Sequence, residues 1–108
     1  MNESKFLQIS EETLINLADL IEDNDKNSIF DVEYSDGILN LSIFETNQQQ
    51  YVINKHSASQ KIWFSSPISG AKYFAFDEKQ NTWLDDNRQE LGKTLIAELQ
   101  NNFKFKIN

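Results

Sequence analysis

Period-two alternation over residues 51–70 limits what this chain can fold into more than any other stretch. Tyr51-Val52-Ile53-Asn54 alternates, as does Lys61-Ile62-Trp63-Phe64-Ser65, with a short polar loop between them. Alternation at this period puts successive side chains on opposite faces of a strand. A turn is expected next at Ser66-Pro67-Ile68-Ser69-Gly70, where the only proline meets one of the three glycines. One parity is apolar, with Tyr51, Ile53, Ile62 and Phe64. The other carries Val52, Asn54, Lys61, Trp63 and Ser65. As a residue type, tryptophan is mostly buried, so packing is the base expectation for Trp63. Its company of Asn, Lys and Ser is the reason to place it on a displayed face instead.

The flanking chain supplies more strands. Phe30, Val32 and Tyr34 alternate with Asp31 and Glu33, giving one apolar and one acidic face. Asp36-Gly37 follows, a strong hairpin signal. The return strand is expected over residues 38–44, with Leu39, Leu41 and Ile43 on one face. Glu45-Thr46-Asn47-Gln48 is expected to turn into the next strand. Residues 72–77 make a fifth strand with Phe74 and Phe76 on one parity. Glu78-Lys79-Gln80-Asn81 then turns into a short Thr82-Trp83-Leu84 strand, where Trp83 is expected in the core.

Helical periodicity brackets these strands. At 100° per residue, Phe6, Ile9, Thr13, Leu14, Leu17, Leu20 and Ile21 share one broad arc, which predicts a helix from residue 4 to about 24. Glu11, Glu12, Asp19, Glu22 and Asp23 lie opposite. Near the other end, Asn87 is expected to cap a second helix with Glu90 as its capping-box partner. Leu91, Leu95 and Leu99 form its apolar stripe. Gly92 within it costs about 1 kcal/mol relative to alanine and implies close approach to the sheet. The tail Phe103-Lys104-Phe105-Lys106-Ile107 alternates and is expected against the core.

Strands joined by short turns run antiparallel. Two helices cover one face of a five- or six-stranded sheet and leave the other in water. The expected fold is therefore α+β: a single domain over residues 1–108, built as a two-layer α–β sandwich. Ile53, Ile62, Phe64, Phe74 and Phe76 belong to the covered face. Asn54, Lys61 and Trp63 belong to the open one.

Composition narrows the chemistry. The 108 residues contain no cysteine and one histidine, His56. A chain without thiolates holds no iron–sulfur cluster of its own, relays no persulfide and has no cysteine nucleophile. No paired acid and base, activated nucleophile or Gly-rich phosphate loop is present, so an enzyme active site is not expected. The N-terminus carries neither a secretory nor a transit pattern, which makes the cytoplasm, or a mature form without its leader, the expected location. No apolar run approaches membrane-spanning length. His56 is expected to be an ordinary exposed loop residue, and Asp85 and Asp86 ordinary polar residues before the helix.

The net charge of −7 is unevenly spread. Residues 1–36 hold ten acids and two bases, for −8, and the remainder carries +1. Such a surface repels nucleic acid and anionic membranes and attracts cations and basic proteins. Asp19 stands i,i+3 from Glu22 and i,i+4 from Asp23, where like charges repel. Glu22 and Asp23 also fall in a last helical turn that favours cations. Asp25 extends the run, with Lys26 as the one nearby base. A charge run is ordinarily a solubilising face. The single sign, at an unfavourable helix end, gives a ligand-binding reading equal weight. Exposed carboxylates are hard oxygen donors suited to Fe²⁺, Fe³⁺, Ca²⁺, Mg²⁺ or Mn²⁺, bound weakly and with little selectivity.

Taken together these residues resemble the frataxin family, in its bacterial CyaY-type branch. The resemblance rests on Ser10-Glu11-Glu12-Thr13-Leu14 through Leu17-Ala18-Asp19, Glu22-Asp23, Asp31-Val32-Glu33 and Gly37-Ile38-Leu39. It is most specific in Tyr51-Val52-Ile53-Asn54-Lys55, in Ile62-Trp63-Phe64-Ser65-Ser66-Pro67-Ile68-Ser69-Gly70, and in Trp83 before the last helix. It implies an α–β sandwich acting in iron–sulfur cluster assembly in the bacterial cytoplasm. Iron, as Fe²⁺ or Fe³⁺, would be held weakly and reversibly on a ridge of Asp19, Glu22, Asp23, Asp25, Asp31 and Glu33. The partners implied are a cysteine desulfurase and its cluster scaffold, met through Asn54, Lys61, Trp63 and Ser65. The chain would act as regulator of that complex or as iron donor, as a monomer without iron. Two further readings stand beside this one: a ferroxidase that oligomerises to store iron, and a metal-independent acidic adaptor. Ala18 and Ile29 occupy ridge positions often acidic in bacterial relatives. His56 stands where eukaryotic-type relatives often have Gln, and Tyr73 replaces a basic residue used there for partner contact.

Overall fold

The computed structural model describes residues 1–44 and 49–108. The element order is α1 (Glu3–Asn24), β1 (Phe30–Ser35), β2 (Ile38–Ile43), β3 (Gln50–His56), β4 (Lys61–Ser66), β5 (Gly70–Asp77), β6 (Thr82–Leu84) and α2 (Leu91–Asn102). The six strands form one antiparallel sheet in chain order, and both helices pack on one face of it. This is the α+β sandwich expected, with the larger of the two strand counts. The turn expected at Glu45-Thr46-Asn47-Gln48 lies outside the described residues.

The hairpin at Asp36-Gly37 is set by its chemistry. Ser35 pairs with Ile38, so the loop has two residues, and both take positive φ (51° at Asp36, 78° at Gly37). A two-residue turn of that hand matches the strand twist and needs residues that tolerate it. On the covered face, Leu39, Leu41, Tyr51, Ile53, Ile62, Phe64 and Phe74 are fully buried against Phe6, Leu14, Ile21, Leu95 and Leu99.

Two details differ from expectation. Leu20, on the expected apolar arc, is 38% exposed, while Ser10 and Ala18 are buried instead. The buried stripe is rotated toward residues 10, 14, 17, 18 and 21, because α1 meets the sheet along that line. Second, α2 starts three residues later than an Asn87 cap would place it. Its N-cap is Glu90, whose carboxylate accepts the Gly92 amide. Residues 85–89 form a tight turn instead: Asp85 accepts the amides of Asn87 and Gln89, and Arg88 takes φ 63°. The tail lies on the core as expected, through Phe103 and Phe105, both edge-to-face with Phe30 at 5.5 and 5.6 Å.

Trp83 is core, 3% exposed, and its indole N–H donates to Thr13 Oγ1 at 2.9 Å. That bond explains a threonine on the buried side of α1. Its hydroxyl in turn donates to the Ile9 carbonyl at 2.8 Å.

Candidate functional site: an acidic ridge beside an open sheet face

The ridge is built where α1 hands the chain to β1. Asp19, Glu22 and Asp23 are exposed on the last turns of α1, and no basic residue occupies the final turn. Among the described residues the ion pairs are Lys5–Glu78 and Arg88–Asp77, neither of which includes a ridge residue. Asp31 and Glu33 are exposed on β1, the edge strand. Glu22, Asp25 and Asp31 line one shallow depression with Ser28, Phe30, Val32 and Phe44. Glu11 also faces β1: burial, then the Glu11 charge, push the Tyr34 phenol above its ordinary value.

Asp25 has a role that its sequence position did not reveal. It ends α1, and its two carboxylate oxygens accept the amides of Ile29 and Phe30, each at 2.8 Å. These bonds set the geometry of the link between α1 and β1. Among the described residues no three His, Cys, Asp or Glu side chains gather closely enough to hold a metal ion as a cage. The donors fit a hard, hydrated cation held by one or two carboxylates with water completing its shell.

The second half of the site is the face without helices. Strand register aligns Ile38, Asn54, Trp63 and Tyr73 in one row across β2 to β5. Trp63 is half-buried among these neighbours; Tyr73 is 46% and Ile38 40% exposed. Lys61 is exposed and Ser65 half-buried, both on this face. The Asn54 amide nitrogen donates to the Lys55 carbonyl. His56 closes the end of β3, stacked edge-to-face on Tyr73 at 5.8 Å with Nδ1 2.8 Å from Ser59 Oγ. Ile38 was not singled out in the sequence, although the two-residue hairpin fixes its register. The four named sheet residues thus share one face. The ridge residues divide between the end of α1 and the adjoining sheet edge.

Glu98 on α2 was also not foreseen. Its carboxylate accepts hydrogen bonds from Tyr51, Ser66 and Ser69, tying α2 to the β4–β5 loop that follows the Trp63 strand. Ser66 Oγ accepts the Ile68 and Ser69 amides and so shapes that loop. Spacing gives no sign of this, since the partners lie 29 to 47 residues away.

A family model described as the frataxin-like domain matches residues 1–105. The chain belongs to the frataxin family. Mitochondrial frataxin of Arabidopsis thaliana is 32% identical over 105 residues, covering 94% of this chain and 55% of that protein, so the chain spans about half the length of this relative. Among solved structures, frataxin of Psychromonas ingrahamii, from the CyaY protein family, superposes with a TM-score of 0.83 over 100% of this chain and 97% of its own. Its 19% identity supports a shared frataxin fold alone. Trimeric frataxin from the yeast Saccharomyces cerevisiae, complexed with ferrous iron, is 26% identical with a TM-score of 0.66, covering 96% of this chain and 88% of its own. Among the described residues no helix is long and apolar enough to cross a membrane.

Proposed function

We propose that this frataxin binds iron weakly on Asp19, Glu22, Asp23, Asp25, Asp31 and Glu33 and docks on a cysteine desulfurase and its cluster scaffold through Asn54, Lys61, Trp63 and Ser65. In this reading it adjusts the rate of iron–sulfur cluster assembly in the bacterial cytoplasm or hands over iron there. The observation carrying it is the array of carboxylates along α1 and β1 that form no ion pair among the described residues, on a chain of a family that includes a frataxin solved with ferrous iron. Hard, exposed oxygen donors suit a cation that must be released again. The display of Trp63 among polar neighbours suits an interface anchor. Bound iron cancels ridge charge, so loading and docking on a basic surface would oppose each other. The test is a cluster-assembly assay with purified desulfurase and scaffold, comparing the parent with Glu22→Lys/Asp23→Lys and with Trp63→Ala. Both variants should lose the effect of the parent on the rate; unchanged effects would refute the reading.

A metal-independent adaptor is the second reading, favoured by the lack of a three-donor grouping among the described residues. It expects Glu22→Lys/Asp23→Lys to lose desulfurase binding even with all metal chelated.

A further inference from the structure

β1 ends the sheet, and its outer edge has a defined hydrogen-bonding phase. The Phe44 amide donates to the Ile29 carbonyl at 3.0 Å, with Phe30 opposite Ile43. In an antiparallel ladder, bonded and non-bonded pairs alternate. Asp31, Glu33 and Ser35 therefore turn their backbone groups to β2. Phe30, Val32 and Tyr34 turn theirs outward. The Phe30 amide is taken by Asp25. The N–H and C=O groups of Val32 and Tyr34 have no ladder partner among the described residues, and such an edge is a template for another strand.

Carboxylates border this edge on both faces. Asp31 and Glu33 project on the open face. On the helix side, Glu11 lies by Tyr34 and Glu22 by Asp31 and Val32, so α1 runs antiparallel along the whole edge. Glu11, Ile15, Asp19 and Glu22 follow one another at spacings of four, four and three residues, hence on one helical face, and all are exposed. A strand added to β1 would meet Asp31 and Glu33 with one set of side chains. With the other it would meet Glu11, Asp19 and Glu22, and at the centre Ile15, 37% exposed.

We infer that the β1 edge accepts an extended basic segment of a partner protein, which joins the sheet as a further strand through Val32 and Tyr34. Backbone pairing supplies affinity, and the two flanking rows of carboxylates select lysine and arginine on both faces, with an apolar residue opposite Ile15. The same charge keeps a second copy of this chain off the edge, because two such edges would repel. The inference rests on the docking reading above and specifies how its acidic side is engaged.

The test uses the full chain, ¹⁵N-labelled, and two synthetic peptides: acetyl-Lys-Arg-Lys-Val-Lys-Arg-amide, and the same sequence N-methylated at alternate residues on the pairing side. Charge is identical, but the methylated peptide lacks the donors a strand needs. The first peptide should shift the Val32 and Tyr34 amides and slow their hydrogen exchange about tenfold or more at saturation. The methylated peptide should bind at least about tenfold more weakly and protect neither amide. Equal binding of both peptides would overturn the inference, leaving charge attraction alone. Binding of neither would overturn it too, leaving the acids as guards of the edge. A parallel exchange measurement with purified desulfurase separates this inference from the docking reading. Desulfurase that binds without protecting Val32 and Tyr34 defeats only the strand-addition mode; desulfurase that does not bind defeats the docking reading.

Discussion

The carboxylate of Asp25 accepts the backbone amide of Phe30 at 2.8 Å, and so holds the first residue of β1 against the end of α1. Its other oxygen holds the Ile29 amide. One acid of the ridge is thus a structural clasp, while the side chains of its neighbours Glu22 and Asp23 form no ion pair among the described residues. The two kinds of acid should respond oppositely to removal. Asp25→Ala strands two amides and is expected to cost about 2 kcal/mol. Asp23→Ala removes a charge that the helix dipole disfavours and should be neutral or stabilising by about 0.5 kcal/mol. Urea denaturation of both variants checks the contrast; equal losses would place the two acids in the same role.

The two tryptophans separate stability from docking. Trp83 is buried between Phe6 and Phe76, with ring centroids at 6.0 and 5.2 Å, and is bonded to Thr13. Trp83→Ala should cost about 3–5 kcal/mol. Trp63→Ala should cost about 1 kcal/mol, since the ring is only half removed from water. It should nevertheless weaken desulfurase binding at least about tenfold. Thermal unfolding and a binding titration on both variants read the two effects. Undiminished binding by a folded Trp63→Ala protein would remove the sheet face from the interface.

Alkaline pH tests the clasp between α2 and the sheet. Burial, and next the Glu98 charge, push the Tyr51 phenol well above its ordinary value of 10.0. The folded chain therefore holds this proton more tightly than the unfolded chain. Its contribution to stability is complete below pH 10.0 and is lost as the pH rises above it. In a spectrophotometric titration, one tyrosine should resist ionisation until the chain unfolds. Glu98→Gln removes the charge that opposes the phenolate, so Tyr51 should ionise at lower pH in that variant while burial still keeps it above the ordinary range. An unchanged titration would show that Glu98 does not act on Tyr51.

Backbone strain offers a further handle. Gln60 takes φ 54° and Arg88 φ 63°, a region that costs a residue with a Cβ about 1 kcal/mol. Gln60→Gly, in the β3–β4 loop, should be neutral to stabilising. Arg88→Gly should gain less, because it also loses the guanidinium bond to Asp77. Equilibrium denaturation of both decides; marked destabilisation by Gln60→Gly would contradict the strain argument.

Much of this was legible from pattern because the elements are locally consistent. Asp36-Gly37 fixed a two-residue hairpin. Period two sorted Ile53, Ile62 and Phe64 from Asn54, Lys61 and Trp63. The acids of α1 were visible through their single sign. What stayed hidden depends on long-range geometry. The backbone bonds of Asp25 require knowing where β1 begins. The hold of Glu98 on Tyr51, Ser66 and Ser69 joins residues from three elements. The start of α2 moved because Asp85 organises a turn of its own, which a capping pattern on Asn87 and Glu90 cannot reveal. Leu20 shows the resolution limit of a helical wheel: its angle is apolar, yet it is 38% exposed and borders a groove with Ile96 and Ile107.

Iron binding on the ridge is the central claim, and paramagnetic broadening reads it most directly. Fe²⁺ should be added without oxygen to the ¹⁵N-labelled chain while every backbone amide is followed. Broadening is expected first at residues 19–25 and 31–33, reversed by a chelator, with His56 and the Trp63 row unaffected. Broadening centred on His56, or none at the ridge while iron binds elsewhere, would contradict the account.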